Sequence, residues 1–106
     1  MGAGQTFLEL TTTALEVKGL SVSSSVKTLS DFSFSATNTG NAKRAIISAI
    51  TDGVMATWDG STAPTSTLGH PIPVNQTIVV QGNRNINNLK LIRVTTDANV
   101  TITLES

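Results

Sequence analysis

The sequence contains no cysteine. That excludes a disulfide framework, a thiolate nucleophile and any Cys-based metal site, and it leaves the redox compartment unread. Tyrosine is also missing, and one tryptophan with three phenylalanines brings the aromatic share to only 4%. A core must therefore be assembled from Val, Ile, Leu and Ala. Charge is scarce too: 13% of residues are ionisable by Asp, Glu, Lys or Arg, and seven basic residues cancel seven acidic ones. A phosphate-directed basic field is absent, so nucleic-acid partners are not expected. No run of about 18 apolar residues occurs, and the opening Met1–Phe7 has neither a basic nor an apolar leader region, so no membrane association or conventional export is expected.

What remains is Ser, Thr and Asn around short aliphatic runs. At 106 residues the chain has the length of one domain. A near-neutral surface gains little protection from charge, and it looks suited to being covered by neighbours. The last segment alternates as Val100, Ile102 and Leu104 against Thr101, Thr103 and Glu105, which predicts a strand with one wet face. It is expected to pair with Leu89–Thr95 as a hairpin around Asp97 and Ala98. A second hairpin is expected between residues 43–51 and 54–58, because Asp52-Gly53 is a strong signal for a tight turn.

Other segments read in the same way. Leu20–Phe34 suggests strand, turn and strand, and Ala36–Ala42 a loop rich in turn-forming residues. Asp59–His70 is too polar and too broken for a ladder, so it reads as a long surface loop. Pro71–Val74 and Thr77–Gln81 suggest short extended pieces turning at Asn75 and Gln76, with the prolines marking an edge strand or a strand start. Without a convincing helical period, the expected fold is all-β: an antiparallel β-sandwich or small barrel, jelly-roll or Ig-like, with an N-terminal extension. Residues 1–20 are expected to form an arm with one or two strands, and residues 21–106 the β-sandwich domain.

The inventory for chemistry is poor. His70 is the only histidine, so neither a triad nor a histidine zinc site can be assembled, and it reads as a residue fixing the loop after Gly69. Asp52, Asp59 and Asp97 lack the alternating spacing of a calcium loop and read as turn carboxylates. No catalytic residue, metal ligand or cofactor is expected, and the chain reads as no enzyme. Trp58 alternates in phase with Val54 and Ala56, which favours the core or its rim over a sugar-stacking platform. Gly82–Asn88 reads first as a turn-rich connection and second as a polar ligand-reading loop, since amides both donate and accept. Asn75 and Asn99 match glycosylation sequons, which an Asn- and Thr-rich chain produces by chance.

Several pieces together resemble a known group. They are the strand Arg44–Ile47, the loop Trp58–Thr65 closed by Gly69 and His70, then Ile78–Gly82, Leu89–Arg93 and Asp97–Thr103. In this pattern, covering residues 28–105, the chain resembles small tailed-bacteriophage virion structural proteins associated with the head and neck. The group reads Asp-Gly-Thr where this chain has an extra residue around Ser61 and Thr62. The resemblance implies a capsid decoration or cement protein of the virion, made in the host cytoplasm, that forms a homo-oligomer and contacts major capsid protein or other virion subunits. Its expected contact residues are Phe7, Leu8 and Leu10 of the arm, and Asp59, Ser61, Pro64, Leu68 and His70 of the loop. The alternative is a carbohydrate- or host-receptor-binding β-module on a tail or head fibre, using Trp58, Asn83, Arg84 and Asn85.

Overall fold

The computed structural model describes residues 13–106. Phe7, Leu8 and Leu10 lie outside the described residues. Eight strands follow one another: β1 (Ala14–Val22), β2 (Lys27–Thr28), β3 (Arg44–Ile50), β4 (Val54–Thr57), β5 (His70–Ile72), β6 (Thr77–Gln81), β7 (Lys90–Arg93) and β8 (Ala98–Glu105). They form two four-stranded antiparallel sheets, ordered β1-β8-β3-β6 and β2-β7-β4-β5. Every connection except β4 to β5 passes from one sheet to the other. Strands alternating between two sheets in these orders make the double-sheet jelly roll. Of the sequence alternatives, sandwich is right and the jelly-roll form of it is the one adopted.

The core lies between the sheets and is aliphatic. β8 sends Ala98, Val100, Ile102 and Leu104 inward, β3 sends Ala45, Ile47 and Ala49, and Val54, Ile72 and Leu91 face them from the second sheet. Each fully buried Ile or Leu contributes roughly 1.5–3 kcal/mol relative to exposure. Among the described residues Phe32 is the one fully packed aromatic ring, stacked on the half-buried Phe34 with centroids 6.1 Å apart.

Both expected hairpins are corrected. β3 lies in one sheet and β4 in the other, so residues 51–53 form a crossing between sheets. The type I′ turn that Asp-Gly favours needs positive φ at both central residues, but here positive φ falls on Thr51 (74°) and not on Asp52 or Gly53. Gly53 is buried, and a Cβ there would stand 3.2 Å from the Ile72 carbonyl oxygen, so close approach is what demands glycine. The Asp52 carboxylate accepts the Gly53 N–H (2.8 Å) and the N–H and hydroxyl of Thr96 (2.7 and 2.8 Å). It thereby ties the β3–β4 crossing to the β7–β8 crossing, which replaces the second expected hairpin. Asn75 does turn the chain, at φ 63°, but it too leads from one sheet to the other.

Three helical pieces replace expected strand and loop. Leu29–Phe32 is a 3-10 turn in which Leu29 and Phe32, three residues apart, face the core together while the Asp31 carboxylate accepts the Thr28 N–H (2.8 Å). The helix α1 (Ala36–Asn41) is capped by Ser35, whose hydroxyl accepts the Asn38 N–H (3.1 Å). The helix α2 (Asn83–Asn87) is held by Ile86, its only buried residue. A division after residue 20 would cut β1, which is bonded to β8 from Ala14 to Val22 and belongs to the sandwich.

Candidate functional site

The loop from β4 to β5, the only same-sheet connection, is tightly built. The Asp59 carboxylate accepts the N–H groups of Ser61 (3.2 Å) and Thr62 (2.9 Å) and the Thr62 hydroxyl. The hydroxyl and N–H of Thr62, followed by the N–H of Ser61, hold its pKa down at about 2. From below, the Thr57 hydroxyl donates to the Thr62 carbonyl (2.7 Å). Thr65 and Leu68 exchange backbone hydrogen bonds (3.0 and 3.3 Å), closing a small turn at the tip. Pro64 is buried, which corrects its expected role as a contact residue: it anchors the loop. Asp59, Ser61 and His70 are exposed as expected, and Leu68 presents 52% of its surface.

Trp58 leaves the end of β4 half-buried against the core, as the alternation suggests. Its ring stacks on His70 with centroids 4.7 Å apart and planes 22° from parallel. The antiparallel register that sets Ala56 opposite His70 brings the two rings together. Two depressions share Trp58 and Asp59 as a wall. One, of about 340 Å³, lies under the loop beside Leu68 and His70. The other, an open groove of about 770 Å³, runs between Trp58–Ser61 and the residues of α2 with Asn88.

All four residues of the alternative ligand set, Trp58, Asn83, Arg84 and Asn85, therefore line one groove. Their chemistry differs from the expectation. The Asn83 Nδ2 donates to the carbonyls of Thr39, Gly40 and Ala42 (2.8, 3.2 and 2.8 Å), and the Asn85 Nδ2 donates to Gln81 (2.9 Å). These amides fasten α2 to its surroundings. The Arg84 and Asn88 side chains make no hydrogen bond or ion pair among the described residues, so their donors face the groove uncommitted. Gly60, at φ +85°, lets Asn88 close in: a Cβ there would stand 3.0 Å from the Asn88 amide nitrogen.

Comparison with protein-family models, with curated proteins and with solved structures returns no match for this chain. Among the described residues, no group of three or more His, Asp or Glu side chains could hold a metal ion. No helix among them is long and apolar enough to cross a membrane.

One surface escaped the sequence reading. The outer face of the β1-β8-β3-β6 sheet carries Val17, Thr103, Ile46 and Val79 in a single row across all four strands. Val17 and Val79 are 56% and 50% exposed, and Ile50 is exposed on the same face. The neighbouring row is Gly19, Thr101, Ser48 and Thr77, with the Ser48 and Thr77 hydroxyls bonded to each other (2.8 Å). Charge enters only at one end, where Arg44 and Glu105 neutralise each other at 2.6 Å. A signal was present: β3 is apolar in both phases, with Ile46 and Ile50 alternating against Ala45, Ile47 and Ala49. A strand wet on one face does not need the outward isoleucines.

Proposed function

We propose that the chain is a non-enzymatic virion structural protein, a decoration or cement module that stabilises a capsid by burying surface against major capsid subunits. The observation that carries this reading is the loop of residues 59–69. It is held by Asp59, Thr57 and Pro64 before any partner arrives, and it projects Leu68 outward. A loop that is ordered by its own hydrogen bonds contacts a partner without a large ordering cost. The resemblance across residues 28–105 supports the virion setting. Jelly rolls recur in viral capsid proteins and also in lectin domains, a likeness of fold alone. Many copies on a lattice add avidity, so a modest interface per copy suffices.

The test is to mix the purified protein with particles lacking it and image them. Occupancy at the symmetry positions of the shell is expected, and Leu68→Asp should abolish it without altering the circular dichroism. Occupancy confined to the tail, or none, overturns the reading.

A second reading is favoured by the groove itself: a saccharide-binding module on a tail or head fibre, with Trp58 as the apolar platform and Arg84 and Asn88 as free donors. An unpaired guanidinium suits acidic sugars. Glycan-array signal that disappears in Trp58→Ala is expected under this reading, and a blank array removes it.

A further inference from the structure

We propose that the outer face of the β1-β8-β3-β6 sheet is the docking site for a second copy of this chain, packed sheet against sheet. The inference takes up the homo-oligomer that the resemblance implies, goes beyond the proposed function and does not depend on a capsid. Its starting point is the row Val17, Thr103, Ile46 and Val79, which crosses the whole sheet at one level. β-Branched side chains on an open sheet face are the kind of surface that a second sheet covers in a sandwich.

Three properties of the face point to its own copy. It is self-complementary, as a two-fold interface requires. A two-fold axis lying along the row sets each member against itself. An axis along the strands sets Val17 against Val79 and Thr103 against Ile46. Either way the apolar row meets an apolar row.

It also carries no charge beyond the neutralised Arg44–Glu105 pair, so two copies do not repel, and it offers nothing to select a charged partner. The inward-pointing Glu16 and Lys18 of β1 pair with each other off this face, at 3.7 Å.

Finally, the side chains beside the apolar row are small, and the area of the face suits a weak contact. Gly19, Thr101, Ser48 and Thr77 leave little to obstruct a sheet at the usual spacing of about 10 Å, and the mutually bonded Ser48 and Thr77 hydroxyls lose little on burial. Four strands about 4.8 Å apart, with a mean length of about seven residues, give about 450 Å² per copy, or about 900 Å² for a pair, just under the ~1,000 Å² that a specific contact clears. An area this small marks the contact as a weak, reversible one.

Sedimentation velocity over a concentration series of the full chain tests this. A monomer–dimer equilibrium is expected, weakened at least roughly tenfold by Val79→Lys, since a buried unpaired ammonium is costly. Val74→Lys, exposed on the turn before β6 and outside the paired rows of the face, should leave it unchanged. Thr101→Lys is the second variant on the face, and near-ultraviolet circular dichroism reports that each variant is folded.

Because the chain has no cysteine, Val17→Cys and Val79→Cys give clean cross-linking. Each variant linking to itself supports the axis along the row, and linking only in a mixture of the two supports the axis along the strands. A chain monomeric up to about 1 mM overturns the inference. So does a dimer indifferent to both face variants, or a monomer whose Val79→Lys variant loses shell binding, which would give the face to the capsid. A dimer that binds no shell leaves the inference standing and overturns only the virion reading.

Discussion

The side-chain amide of Asn83 donates to the carbonyls of Thr39, Gly40 and Ala42, the groups that a helix leaves without partners at its end. One exposed residue on α2 thus caps α1 from outside. Asn83→Ala should lower stability by about 1 kcal/mol in urea unfolding. Asn83→Asp should cost more, since a carboxylate cannot donate and would face three carbonyl oxygens. Asp59 supplies the second case. Its folded pKa of about 2 lies below the ordinary 3.8, so the unfolded chain binds its proton first. Its contribution is complete above pH 3.8 and is lost as pH falls through about 2. Thermal midpoints measured across that window should fall more steeply for the native chain than for Asp59→Asn.

Between residue and molecule stand the elements, and their legibility followed the strength of the local signal. β8 was read from its alternation because one face is core and the other wet, and Pro71 marked β5, which is an edge strand. A turn sequence marks a reversal of the chain and does not name the strand's partner. Asp52-Gly53 and Asp97-Ala98 do reverse the chain, but the strands that follow join the opposite sheet. The helices were illegible for another reason. Asn is a weak helix former, and α2 exists because Ile86 is buried and because Asn85 and Asn87 bond back to Gln81 and Asn83. Gly53 gives the test at this scale. Since its φ is not positive, Gly53→Ala meets no backbone strain but drives a methyl toward the Ile72 carbonyl. A loss of about 1–2 kcal/mol is expected by denaturant unfolding, as for other overpacked sites.

At the scale of the whole molecule, the jelly roll makes nearly every strand pairing long-range. This explains why the groove could be named in advance and the outer sheet face could not. Trp58 and the Asn-rich segment are conspicuous as residue types. The outward isoleucines of β3 are the one local sign of the row Val17, Thr103, Ile46 and Val79, whose members come together only through register between strands distant in sequence. Refolding followed by stopped-flow fluorescence of Trp58 should be slow, in the millisecond-to-second range of sheet proteins dominated by non-local contacts.

The pairing of β1 with β8 also decides how the molecule answers a mechanical load. Ala14 sits opposite Glu105 at one end of that ladder, and Ser21 opposite Asn99 near the other. A tether pulling on positions 14 and 105 unzips the ladder one hydrogen bond at a time, whereas handles at 14 and 99 strain the bonds together. In single-molecule stretching the first geometry should rupture at the lower force.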